Sequence, residues 1–341
     1  MAVPARRVQR RVTLTEIAEA LGVAPSTVSR ALSNPNRVSP AMYERITSKA
    51  QEMGYTSALL PAAENRLARG TIALVLPNLT NPFNLDVTRG AQAQIRAASY
   101  LHLLVSTEES LPMEEQWLRE LARTVDGIVV SSPRIDDEAL RAVAQIAPTV
   151  VINRQSPGLS GVVIDTPAGL AQAVHYLHSL GHTRIAYVRG PHGSWTDGTR
   201  FDAITAAAEE DGVDLVAVGR YHVTLANGAA AADAVVLTRA TACIFFNDVL
   251  AIGALDRFRQ LGVSIPDDLS VVGCDDIFGS SFSHPPLTTV TSPGESAGRA
   301  AVDMLIGRFA TRDRSDRIDH ISAHLTVRAS TGPRKGGQDT P

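Results

Sequence analysis

From residue 13 to residue 54 the apolar positions recur at helical spacing in three short segments. Ile17, Ala18 and Leu21 form the first stripe, and Thr13 and Glu16 ahead of them have the spacing of a capping box. Gly22-Val23-Ala24 predicts a tight turn. Pro25 suits the first position of a second helix, whose inner face is Val28, Ala31 and Leu32. Ser33-Asn34-Pro35-Asn36 breaks the pattern. Ser39-Pro40 then starts a third helix carrying Tyr43, Ile46, Ala50 and Met53, which Gly54 closes. Three helices this short make a small core that needs support from elsewhere in the molecule.

From Thr71 the grammar changes. TIALVLP, LHLLVST, GIVVSS and TVVIN are short β-branched runs, with helical segments after the first three, from about Pro82, through Trp117 and over Asp136–Ile146. A second series follows: GVVID, RIAYVRG, DLVAVG, ACIFFND and LSVVGCDD, with helices at Pro167–Leu180, Thr199–Asp211, Gly228–Arg239 and Val249–Leu261. Strands alternating with helices this regularly predict parallel βαβ units. The expected fold class is therefore α/β: a three-helix head, then two doubly wound parallel-sheet lobes with a ligand cleft between their strand C-termini. PPLTTVTSP and a helix near Glu295–Arg308 cross back to the first lobe. The expected boundaries are 1–56 for the head, 57–70 for a linker, 71–162 plus 292–318 for lobe 1, and 163–291 plus 319–331 for lobe 2. Residues 332–341 read as a disordered tail.

Charge sharpens this division. Residues 1–70 carry nine Arg, one Lys and five Glu, a net +5, so the remaining 271 residues carry −8 of the chain's total of −3. A basic head on an acidic body points to a polyanionic partner for the head, or simply to a solvated basic tail at Arg6, Arg7, Arg10 and Arg11. No secretory signal or apolar run of membrane-spanning length occurs, which predicts a cytoplasmic protein. Cys243 and Cys274 lie within apolar strands and read as core residues. His175, His178 and His182 lack a companion Cys or carboxylate cluster, so they are assigned structural roles and no metal. The phosphate loop and the dinucleotide fingerprint are absent from the sequence, which argues against an enzyme and predicts no cofactor.

The head carries more than periodicity. Val12, Ile17-Ala18, Gly22-Val23, Thr27-Val28-Ser29-Arg30, Leu32 and Asn34, followed by Arg37-Val38-Ser39 and Gly54-Tyr55, resemble the DNA-binding head of the lactose-repressor (LacI/GalR) family. The likeness continues through Asn81-Pro82-Phe83, Gly181-His182, Asn247-Asp248, Gly273-Cys274-Asp275-Asp276 and Pro286-Leu287-Thr288-Thr289-Val290. It implies a helix-turn-helix on a periplasmic-binding-protein-like core, acting as a regulator and by default a repressor. Its partners would be palindromic double-stranded operator DNA, a second copy of the chain, and a small-molecule effector, with a sugar favoured. Thr13, Pro25, Ser26, Thr27, Ser29, Arg30, Asn34, Arg37 and Tyr55 are the expected DNA contacts, with Arg30 reaching phosphate or a guanine edge. Two positions depart from the family pattern: Ala24 replaces a capping serine, and Pro25 offers no side-chain bond. In the linker the family's minor-groove leucine is replaced by Glu64, with Pro61 nearby. Either Leu60 or Leu67 takes over as a wedge, or the segment only spaces the head.

The resemblance also implies an effector site of Asn81, Phe83, Asn153, Trp195, Arg200, Asn247 and Asp275. Phe83 would stack on an apolar ligand face, or else pack in the core. Arg200 has a five-donor fork suited to vicinal hydroxyls. Asp275 ends an apolar strand and needs a partner there, either the ligand or Arg200. Trp195 either closes over the ligand or stays exposed. Rival readings are a cytoplasmic solute-binding protein, a purine- or nucleoside-responsive regulator, and a sugar-modifying enzyme on the same scaffold.

Overall fold

The structure, a computed structural model, describes residues 13–33, 39–53, 70–310 and 316–335. The chain divides into two compact units, 1–68 and 69–341. In the first, α1 (Leu14–Leu21), α2 (Pro25–Ser33) and α3 (Pro40–Glu52) enclose Ile17, Ala18, Val28, Ala31 and Ile46. The capping box forms as predicted: Glu16 N–H donates to Thr13 Oγ1 at 3.3 Å and Thr13 N–H donates to the Glu16 carboxylate at 2.7 Å. Gly22 ends α1 at φ +66°, the left-handed conformation that glycine adopts most cheaply. Tyr43 lies at the exposed edge of the bundle.

The second unit opens with β1 (Thr71–Leu76), α4 (Pro82–Ala97), β2 (Leu101–Ser106), α5 (Leu111–Thr124), β3 (Gly127–Ser131), α6 (Asp137–Ile146), β4 (Thr149–Ile152) and β5 (Ser160–Asp165). It continues with α7 (Thr166–Ser179), β6 (Arg184–Arg189), α8 (Trp195–Glu210), β7 (Asp214–Arg220), α9 (Leu225–Leu237), β8 (Ala242–Phe245), α10 (Asp248–Gln260), β9 (Ser270–Asp275) and β10 (Thr288–Thr291). Finally α11 (Gly294–Ala310) and β11 (Ile318–Ser322) return to the first lobe, and β12 (His324–Thr326) to the second. The first sheet has the order β11-β5-β4-β3-β1-β2 and the second β12-β10-β9-β8-β6-β7. Every pairing is parallel except β10 with β12. Central strands such as β1, β3 and β9 are almost wholly buried, as a parallel sheet with helices on both faces requires.

Three expected boundaries shift. GVVID, assigned above to the second lobe, is β5 and pairs with β4 in the first sheet, so the crossover follows Asp165 and not residue 162. β11 pairs with β5 and β12 with β10, which moves the last crossover from 318–319 to Ala323. Residues 332–335, expected in a loose tail, are bound to lobe 2. Gly332 accepts from His182 Nε2 at 3.0 Å, and Arg334 N–H donates to Leu180 at 2.9 Å.

The lobes share a packing device. A Cβ at Gly90 on α4 would overlap the Glu295 carbonyl of α11, and one at Gly298 would overlap that of Val87. In lobe 2, Gly228 on α9 and Gly253 on α10 make the same reciprocal approach to Leu250 and Leu225. Each helix pair thus packs backbone against backbone, a separation only glycine permits. No helix among the described residues is long and apolar enough to cross a membrane.

Candidate functional site

In the head, Pro25 and Ser26 stand exposed on the first turn of α2, and Thr27 is half-buried. Val28 and Ala31 turn inward against Ile17 and Ala18, so helical periodicity fixes which face of α2 is left for a partner. Pro25 has no N–H and Thr27 N–H donates to the Ala24 carbonyl at 2.8 Å, so the backbone at this helix start offers few donors to a phosphate. Thr13 is committed to capping α1 through Glu16. Ser29 and Arg30 belong to α2. Asn34, Arg37 and Tyr55 lie outside the described residues, as do the basic residues Arg6 to Arg11 and the linker with Leu60, Pro61, Glu64 and Leu67.

The second unit holds a cleft, open to solvent, at the C-terminal ends of both sheets. Six residues at those strand ends have positive φ although none is glycine: Glu108, Glu109, Ser132, Asn153, Asp275 and Asp276. Strain of this kind persists where the surroundings over-determine the backbone, and it gathers at binding sites. Lobe 1 contributes Asn78, Asn81, Phe83, Glu109, Arg134 and Asn153 to the walls, and lobe 2 contributes Thr196, Arg200, Phe246 and Asp275.

Arg200 organises the lobe 2 wall. Its guanidinium donates to Thr166 Oγ1 at 3.0 Å, to the Phe246 carbonyl at 2.6 Å and to Asp275 Oδ1 at 3.3 Å. It also lies over the Phe246 ring, 4.8 Å from the centroid. Asp275 is 7% exposed. Burial pushes its carboxyl up to about 7, with the Arg200 charge working the other way. Opposite, Glu109 accepts from Asn78 Nδ2 at 2.7 Å and pairs with Arg134 at 3.1 Å. Burial works to raise the Glu109 carboxyl, but the bonds from His222, Arg134 and Asn78 outweigh it and hold it below the usual carboxylate range.

Of the seven residues read from sequence, Asn81, Phe83, Asn153, Arg200 and Asp275 line this one cleft. Asn81 also caps α4, and Asn153 accepts from Ile164 N–H at 3.1 Å, which pins the β4–β5 connection. Trp195 does not line the cleft: it is the first residue of α8, while Ser194 and Thr196 on either side do. Asn247 is buried behind the wall, where its Oδ1 caps α10 and its Nδ2 has no partner among the described residues. Arg154, next to Asn153, donates to the Pro133 and Ile135 carbonyls and to Asp137. Sequence reasoning missed Asn78, Glu109 and Arg134. Each lies just past a strand, and polar residues after β1, β2 and β3 were the available signal.

The remaining candidates are structural. His175 pairs with Asp211 at 2.8 Å, and His178 is exposed. His182 is buried between Thr241 and Gly332. Cys243 and Cys274 are free and buried, and burial raises both thiols.

Comparison with known proteins agrees with this architecture. Residues 13–57 match the family described as bacterial regulatory proteins, lacI family, and residues 174–331 match a periplasmic binding protein-like domain. The HTH-type transcriptional regulator DegA of Bacillus subtilis (strain 168) is 31% identical over 340 residues, covering 95% of this chain and 99% of the relative. A complex of the transcriptional regulator CelR with cellobiose superposes with TM-score 0.70 at 27% identity, covering 94% of this chain and 100% of that one. A lac repressor dimer bound to operator and the anti-inducer ONPF superposes with TM-score 0.75 over 95% of this chain and 100% of that one. At 21% identity this last is a likeness of fold.

Proposed function

The chain belongs to the lacI family of bacterial regulatory proteins, a DNA-binding transcription regulator under effector control, and we propose that it represses a sugar-utilisation operon in response to a neutral, hydroxylated effector. The observation that carries this reading is the charge balance of the cleft. Arg134 faces Glu109, and Arg200 is taken up by Asp275 together with the Phe246 carbonyl and ring, so neither guanidinium is left free for an anion. A phosphorylated ligand would bring negative charge into the cleft without a free cation to meet it, a costly exchange away from water. A neutral polyol can accept from the guanidinium forks and donate to the carboxylates while Phe83 covers its apolar face. The CelR–cellobiose complex supports the same class. A nucleoside remains the alternative effector.

The proposed operator contacts are Pro25, Ser26, Thr27, Ser29 and Arg30 of α2, together with Thr13, Asn34, Arg37 and Tyr55. One short helix reads few base pairs, so the proposal includes a homodimer on a palindrome. Phe278 and Phe282 of lobe 2 are each 70% exposed and pack on one another, an apolar surface suited to a second copy. The protein is proposed to act in the cytoplasm, as a binder and not an enzyme. A thermal-shift screen tests the effector class. At about 100 times its dissociation constant a ligand adds about 2.7 kcal/mol of stability. Neutral sugars are expected to shift the core transition, and a response confined to nucleosides or to sugar phosphates would overturn the assignment.

A further inference from the structure

Two residues from opposite lobes meet at one end of the cleft. Glu109 follows β2, the edge strand of the first sheet, and His222 follows β7, the edge strand of the second. His222 Nδ1 lies 3.1 Å from Glu109 Oε2. Among the described residues this is the one side-chain hydrogen bond that joins the lobes away from the crossover segments. All three crossovers depart from the far edge of the sheets, from β5, β10 and β11. Four strand steps at about 4.8 Å place the contact roughly 20 Å from that hinge. A bond there acts on the hinge with the longest lever the sheets allow.

The two sides are anchored differently. Asn78 and Arg134 fix the Glu109 carboxylate, leaving its side chain 13% exposed. The His222 ring is 72% exposed, while its carbonyl is held by Thr224 N–H at 2.9 Å and Asn227 Nδ2 at 3.1 Å. Nearby charges are otherwise engaged. Glu108 accepts from Ser106, Arg134 lies behind Glu109, and Arg220 is turned to Asp197. The imidazole therefore faces the Glu109 carboxylate.

We propose that Glu109 and His222 form a latch that holds the two lobes together across the cleft, an exposed imidazole bonded to an anchored carboxylate. Exposed pairs are weak, so the expected effect is about a twofold to fivefold change in the ratio of closed to open forms. A ratio near unity is moved appreciably by a factor of that size.

Nitroxides at Gln116→Cys on α5 and Ala230→Cys on α9 would report the interlobe distance in the full chain. Excess unlabelled chain keeps one labelled copy per assembly, and the buried Cys243 and Cys274 stay unreacted. In His222→Ala the short distance should lose weight about twofold to fivefold relative to the native chain. His222→Lys, which restores a donor toward the Glu109 carboxylate, should keep the native distribution. An alanine variant with the native distribution, or a lysine variant that opens like the alanine one, would overturn the latch. No effector is added, so failure here leaves the reading of the cleft untouched.

Discussion

Arg200→Met isolates the ion pair that organises the lobe 2 wall. Methionine keeps an unbranched apolar stem to fill the space beside Phe246, so packing changes little. The substitution removes the donations to Thr166, the Phe246 carbonyl and Asp275, along with the counter-charge of a carboxylate that is 7% exposed. Leaving one partner of a buried pair alone costs about 3–5 kcal/mol. Asp275 limits this cost by taking up a proton, which makes the penalty depend on pH. Its carboxyl already sits at about 7, above the ordinary 3.8, and losing Arg200 raises it further. A carboxyl raised in the folded state contributes stability that is present below its unfolded value and is lost as pH rises through its folded value. The deficit of the variant should therefore be level between pH ~5 and pH ~7 and grow above that, by at most about 1.4 kcal/mol at pH ~8, one unit past the native folded value. Urea unfolding followed by Trp195 fluorescence in a Trp117→Phe background reads lobe 2 directly, because the chain has two tryptophans. An equal deficit at pH ~5 and pH ~8 would mean that packing and not charge was lost. A deficit under about 1 kcal/mol at the higher pH would contradict a compensated buried pair.

Gly90→Ala should destabilise lobe 1 by about 1–3 kcal/mol, because its methyl group must displace the α11 backbone at Glu295; urea unfolding checks it. Burial lowers the His182 pKa below the ordinary 6.5, against the opposing bond to Gly332, so stability should fall as pH drops below that value. His182→Gln keeps an acceptor for Thr241 and a donor for Gly332 while removing the titration, and should flatten the pH profile of thermal unfolding. Arg30→Ala should weaken operator binding by about 1–3 kcal/mol and relax preference at one half-site position, measured by anisotropy on variant duplexes. Sedimentation should give a dimer, and a stable tetramer that survives removal of residues 336–341 would refute that assembly.

The parts legible in the sequence are those written locally. The Thr13–Glu16 capping box, the Gly22 turn and the alternation of β-branched runs with helices are short-range signals, and the corresponding elements form within about a turn of where they predict. The start of α8 came one turn earlier than expected, although Ser194 and Asp197 carry a cap three residues apart that marks it. The assignment of β5 to a lobe was not legible, because periodicity describes a strand and says nothing of its neighbour. The same holds for β11 and β12, whose few residues gain their meaning only from β5 and β10. Glu109 and Arg134 escaped notice for a related reason: each is an ordinary loop charge until the fold brings them within 3.1 Å inside a cleft. Asn247 was read as a ligand contact, and its visible task is to cap α10.

The account rests on one claim, that occupancy of the cleft changes the affinity of the head for DNA. Its most direct measurement is an anisotropy titration of the full-length protein on a palindromic duplex recovered by selection from a random pool, with and without a sugar identified by the thermal screen. A coupling free energy of about 1–3 kcal/mol corresponds to a change of about 5-fold to 150-fold in operator affinity, and a shift within that range is the predicted result. A sugar that demonstrably fills the cleft and leaves the DNA affinity where it was would contradict the claim.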